Sequence, residues 1–325
     1  MTEVRAGWLG TRGQGTARGA AGWKSGLTAA LAICLMSAAT AISAFAAQGS
    51  FERTLRVNGP VELDVKTGAG RIEVRTGDAS TVHVRGIIRA TSGWGLSGEE
   101  KVSRLEANPP IEQDGNVIRI GRIREKALSR NVSISYELMV PVATSLRADT
   151  GAGEQSIRGL SGPVDADTGS GNIAISDIGD DVKADTGSGD IRVVSIKGVV
   201  HADTGSGSIR GSDLAKGLWA DTGSGTVEVR GLQGGLRADT GSGSIIAEGT
   251  PTSEWRLDAG SGNIEVHLPA RASFTLHAHA DSGRVTVDRP ITVQGTLGRN
   301  DVRGKTGSGG PLLDLHSGSG NIHIE

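Results

Sequence analysis

Six aspartates open the same short string, Asp-Thr-Gly-(Ser/Ala)-Gly, at a fixed step of eighteen residues: Asp149, Asp167, Asp185, Asp203, Asp221 and Asp239. Asp258 opens a looser copy nineteen residues later. Three kinds of chemistry could use such a row. Asp-Thr-Gly-Ser is the active-site string of aspartic proteases, where two carboxylates from opposite lobes share a proton. Here the string recurs in consecutive repeats, which offers carboxylates side by side rather than a facing pair. Calcium is the second reading. Ca²⁺-binding β-roll repeats are nonapeptides of the form G-G-x-G-x-D-x-U-x, and two of them make eighteen residues. Yet the position after Gly-Ser-Gly holds Asn172, Asp190, Ser208, Thr226, Ser244 and Asn263, so no carboxylate is maintained there. Calcium wants six to eight oxygens, several of them from carboxylates. The third reading is structural. Asp caps turns by accepting backbone N–H bonds, glycine admits positive φ, and Asp149 through Asp258 then form a turn ladder. Like charges about 5 Å apart repel by about 0.8 kcal/mol even in water. The structural reading therefore expects each carboxylate to accept charge-assisted N–H bonds.

Two further sets of side chains could bind something. His277, His279 and Asp281 alternate along one stretch and could present metal ligands, although no third or fourth ligand for tetrahedral zinc is identifiable, since the irregular spacing of His267, His316 and His323 defeats any register. Trp219, His201 and Arg237 fall in one freely varying column, and Trp94 lies in Gly93-Trp94-Gly95. Exposed Trp and Arg are the common anchors of binding surfaces, so these four are the candidate interaction surface.

The elements that must carry these residues are strands. A fixed short period is the signature of stacked repeats. Within the period, apolar columns recur: Ile173, Ile191, Ile209, Val227, Ile245; Leu160, Ile178, Ile196, Leu214, Leu232; and Val164, Val182, Val200, Leu218, Leu236. A column of small residues runs from Ala148 to Ala238. Alternation sends such columns to one face of a strand. The expected fold is therefore all-β, a single-stranded parallel β-solenoid (β-helix) with 18-residue coils. Residues 47–90 read as N-terminal solenoid coils. Residues 91–145 read as an irregular insertion and strands, with a helix over Glu99–Ala107 ended by Pro109-Pro110 and strands at Val117–Ile120 and Val132–Val140. Residues 146–325 read as the regular repeats, with no evident cap at their end, so edge or end-to-end association is expected.

Residues 1–46 read as a signal peptide. Arg5, Arg12, Arg18 and Lys24 precede an apolar run from Leu27 to Ala41 and an A-x-A site ending at Ala46. This predicts an exported chain, periplasmic, secreted or on the cell surface, without a transmembrane span once the signal is removed. The formal net charge is −2, and loss of the basic leader makes the remainder more acidic. A nucleic-acid binder is expected to be basic, so that class is set aside. Cys34, the one cysteine, lies in the leader, which excludes disulfide and thiol chemistry in the mature chain.

Tyr136-Glu-Leu-Met-Val-Pro141, then Leu146, then repeated Thr-Gly-Ser-Gly-x-Ile units resemble the bacterial putative-adhesin domain family of unknown function, β-solenoids related to the head-GIN proteins. The resemblance covers roughly residues 50–325. It implies a secreted or tethered β-solenoid and brings no catalytic residues. The expected function is a non-catalytic extracytoplasmic adhesin or cell-envelope scaffold with an envelope or surface partner and no cofactor. The alternatives are a Ca²⁺-stabilised repeat module and a polysaccharide-active β-helix enzyme.

Overall fold

The computed structural model describes residues 46–93, 95–293 and 298–325. The signal-peptide reading of residues 1–46 and the side chain of Trp94 lie outside them, apart from Ala46. Among the described residues the fold is all-β, with one ten-residue helix, Gly98–Ala107, and a single short turn of helix at Lys126–Ser129.

In the middle of the chain each repeat makes two strands. Val164–Ser170 and Ile173–Ile178 are one such pair. Val164–Ser170 runs parallel to Val182–Ser188, with Val164 opposite Val182 and Asp167 opposite Asp185. Ile173–Ile178 runs parallel to Ile191–Ile196 in the same step. The pairing continues without change of register through His201↔Trp219 and Trp219↔Arg237. The four apolar and small columns expected from the sequence are all buried. Burying each of the larger side chains contributes about 1.5–3 kcal/mol, and identical residues stack upon one another along the column.

What holds one repeat to the next differs from the expected turn ladder. Asp149, Asp167, Asp185, Asp203, Asp221, Asp239 and Asp258 lie within strands and point outward. Among the described residues, no backbone N–H donates to their side chains. The threonine that follows each of the first six points inward instead. Thr204 Oγ1 donates to Gly189 O at 2.9 Å, and Thr186, Thr222 and Thr240 repeat the bond one coil apart. The turn cap lies in the column read as failed calcium ligands. Asn172 Oδ1 accepts from Asp190 N, and Asp190 Oδ1 accepts from Ser208 N, both one coil on. Ser208 and Ser244 do the same for Thr226 and Asn263. These oxygens are engaged with the backbone, which removes them as a set of free Ca²⁺ ligands.

The glycines also serve another purpose than positive φ. A Cβ on Gly187 would lie 2.6 Å from Gly169 O of the preceding coil, a distance that forces the backbones apart. The left-handed kink sits in the opposite turn, where Asp177, Ser195 and Asp213 have φ of 59°, 57° and 56° and Gly231 has 65°.

The ends depart from the purely parallel pairing of the middle. On the N-terminal side, Val61–Ala69 pairs in parallel with both Thr144–Ala152 and Val117–Ile120, and Ile72–Thr76 pairs with both Gln155–Arg158 and Val132–Val140. The insertion thus builds the coil beyond residues 61–76. Antiparallel strands close it: Ile111–Asp114 on one side, Thr81–Ala90 and then Ala47–Arg56 on the other. The helix Gly98–Ala107 is capped by Ser97, which accepts from Glu100 N, and buries Val102 and Leu105. Its Lys101 is also buried and donates to Thr91 O and Arg130 O, tying the two ends of the loop together.

The other end uses the same device. Leu312–Ser319 lies between Ile245–Ser261 and Thr275–Ala280, with Asp258↔His316 on one side and His279↔His316 on the other. The last strands of the chain are therefore inside the stack. Asp301–Lys305 pairs antiparallel with Thr275–Ala280 and is flanked in turn by Thr292–Val293. The expectation of an uncapped C-terminal end is corrected by these strands.

Candidate functional site

Two outward columns run side by side on the first strand of every repeat. One is the aspartate row. The other, two residues earlier, is Asp165, Lys183, His201, Trp219 and Arg237. Alternation along the strand places both on the solvent face, and the constant register aligns each with its own kind.

The row is electrostatically uneven. Lys66 Nζ lies 3.0 Å from Asp149. Lys183 pairs with Asp185, and Arg237 Nε lies 3.0 Å from Asp239. His316 Nδ1 lies 3.3 Å from Asp258. Among the described residues Asp167, Asp203 and Asp221 have no such partner, and these three are the exposed members of the row. Partial burial, then the charges of Asp149 and Asp185, hold the Asp167 carboxyl above the usual range. Partial burial, then Asp221 and Asp185, do the same for Asp203.

Asp203 and Asp221 sit in an open groove of about 360 Å³ lined by Lys183, His201, Trp219 and Arg237 together with Asp185 and Asp239. Trp219 is 56% exposed. The His201 ring stands at 75° to it, with centroids 4.3 Å apart. The groove thus combines an indole with two unpaired carboxylates. Such a surface attracts a cationic group, through the ring face and the carboxylates. The fold brings Trp219, His201 and Arg237 together as three successive rungs. Trp255, by contrast, is fully buried and donates Nε1 to Gly234 O at 2.8 Å.

The sequence-predicted metal candidates assemble only in part. His279 Nε2 lies 3.1 Å from Asp281 Oδ1, but the third neighbour is His316, at 3.6 Å from the same oxygen. His277 stands one column away, opposite Asp314 and Arg303. Burial lowers the affinity of His316 for a proton, but the hydrogen bond and charge of Asp258 and the charge of Asp281 outweigh it, so the imidazole is held above its ordinary value. The basic ends of the row, Lys66 and His316, were visible as the residues preceding Thr67-Gly68 and Ser317-Gly318, where the regular repeats carry Asp.

Residues 197–325 match the family model described as Toastrack DUF4097. No curated protein matches the chain. Among solved structures, a putative adhesin from Bacteroides fragilis is 14% identical over 85% of this chain and 97% of its own, with a TM-score of 0.38. A putative adhesin from Parabacteroides distasonis is 11% identical over 85% of this chain and 97% of its own, with a TM-score of 0.36. A structure from the same species described as a putative lipid binding protein is 12% identical over 85% and 97%, with a TM-score of 0.26. The match to the Toastrack DUF4097 model over residues 197–325 is in keeping with the chain's resemblance to a bacterial putative-adhesin family of unknown function.

Proposed function

We propose that this protein is an exported, non-catalytic β-solenoid of 18-residue coils that acts as an adhesin or cell-envelope scaffold, and that the groove around Trp219 is where it holds its partner. The observation that carries this reading is the groove itself: a half-exposed indole beside Asp203 and Asp221, two carboxylates without a basic partner, on a stiff sheet. A rigid sheet presents such a surface at little entropic cost on binding. The complementary partner carries ammonium or guanidinium groups at its surface.

The test has two arms. Whole cells producing the full chain are treated with an external protease, and the protein is expected to be exported from the cytoplasm. Purified protein is then mixed with envelope fractions, alongside Trp219→Ala and the double variant Asp203→Asn, Asp221→Asn. Retention of the wild type and its loss in both variants supports the reading. Equal retention of all three removes the groove from the function. New reducing ends from envelope polysaccharides incubated with the protein would overturn the non-catalytic part.

A further inference from the structure

Five of the seven histidines lie between His267 and His323. On the second face of the stack, three short strands bring two of them among acids. Ile264–His267, Ile322–Ile324 and Val285–Val287 lie side by side, with Glu265↔His323↔Thr286 in register across them. The next outward position of each strand is His267, Glu325 and Asp288. Backbone bonds fix this row: Leu268 N donates to Glu325 O, Glu325 N to Val266 O, and Asp288 N to Ile324 O, each at 2.9 to 3.0 Å.

The side chains converge. His323 Nε2 lies 2.9 Å from Asp288 Oδ2. One ligand atom each from Asp288, His323 and Glu325 lies within 4.8 Å of the others. His267 Nδ1 approaches Glu325 Oε1 from the far side at 2.5 Å. Two carboxylates and an imidazole nitrogen gathered at this range offer the donors that a divalent cation takes. A mixed set of imidazole nitrogen and carboxylate oxygen suits zinc and its first-row neighbours and is a poor choice for calcium, which takes oxygen alone.

We propose that Asp288, His323 and Glu325 form a binding site for a divalent transition-metal ion of the zinc type. His267 holds the Glu325 carboxylate from behind, as carboxylate–imidazole pairs orient ligands in metal sites. The remaining coordination positions face solvent. Asp288 follows the strand Val285–Val287, His323 lies in the neighbouring strand Ile322–Ile324, and Glu325 follows it. A bound ion therefore staples these two strands together, and binding to the folded chain alone raises the melting temperature.

The experiment is isothermal titration of ZnCl₂ into the full chain, without a polyhistidine tag, at neutral pH, with melting curves in parallel. One saturable zinc per chain and a raised melting temperature are expected. Both are lost in His323→Ala and in Asp288→Asn, and both survive in His279→Ala, which alters the separate His279–His316 cluster. Far-UV circular dichroism of the metal-free variants, superimposable on the wild type, separates loss of a ligand from loss of fold. No saturable zinc, or zinc binding unchanged in His323→Ala or lost in His279→Ala, overturns the assignment.

Discussion

His316 Nδ1 lies 3.3 Å from Asp258 Oδ1, so an imidazole takes the next rung after seven stacked aspartates. On its other side the His279 ring stacks nearly parallel, at 9° and 6.0 Å between centroids. The carboxylate row thus begins against Lys66 and ends against histidine, with its uncompensated charge left in the middle.

That pairing makes stability depend on pH. His316 is held above the ordinary histidine value of about 6.5 by Asp258 and Asp281 against the effect of burial. A raised value means the folded state keeps its proton longer than the unfolded one. The contribution is complete below about pH 6.5 and is lost as pH rises through the folded value. The melting temperature of the wild type relative to His316→Gln is expected to be highest in mild acid and to converge with it in mild alkali. A difference independent of pH would contradict this account.

Asp203 works in the opposite sense to a salt-bridged carboxylate. Partial burial and the charges of Asp221 and Asp185 raise its value, so ionising it costs stability as pH rises out of the acid range. Asp203→Asn is expected to stabilise the protein at neutral pH. The gain is at most about 0.8 kcal/mol for each neighbouring carboxylate at ~5 Å in water, and less at physiological salt. Denaturant midpoints at low and high salt read it, and the gain should vanish in strong acid.

Gly187 is fixed by contact rather than by φ. Its added Cβ would sit 2.6 Å from Gly169 O, so Gly187→Ala must open the spacing between coils. The expected cost is about 1–3 kcal/mol, in the range of overpacked cores, seen as a fall in the urea midpoint.

Ser195 and Gly231 share the left-handed turn position, at φ of 57° and 65°. A side chain there costs about 1–2 kcal/mol relative to glycine. Ser195→Gly is expected to stabilise, offset in part by the greater freedom of glycine in the unfolded chain. Gly231→Ala is expected to destabilise. Equal midpoints for both variants and the wild type would remove strain from this turn.

Local pattern carried much of this. The helix is found at Gly98–Ala107 against an expected Glu99–Ala107, and strands stand at Val117–Ile120 and Val132–Val140 as read. Trp219, His201 and Arg237 were recognisable as one outward column because each lies one period from the next. The same reasoning misplaced the aspartates. Asp, Asn and Ser all cap backbone N–H groups, and composition alone does not say which column turns the chain. The bonds of Asn172 and Asp190 to the next coil show that the variable polar column does so.

The sequence by itself determined the repeat and its buried columns, because a period of eighteen returns the same kinds of apolar residue to the same face. It determined the outward columns for the same reason. Only the tertiary structure decided the order of the coils at the ends, the strands that close them, and the meetings of Asp258 with His316 and of Asp288 with His323. Those pairs are 58 and 35 residues apart, and no local periodicity links them. They are set by which edge strand the returning chain covers, a choice made by burial and backbone hydrogen bonding over the whole end of the stack.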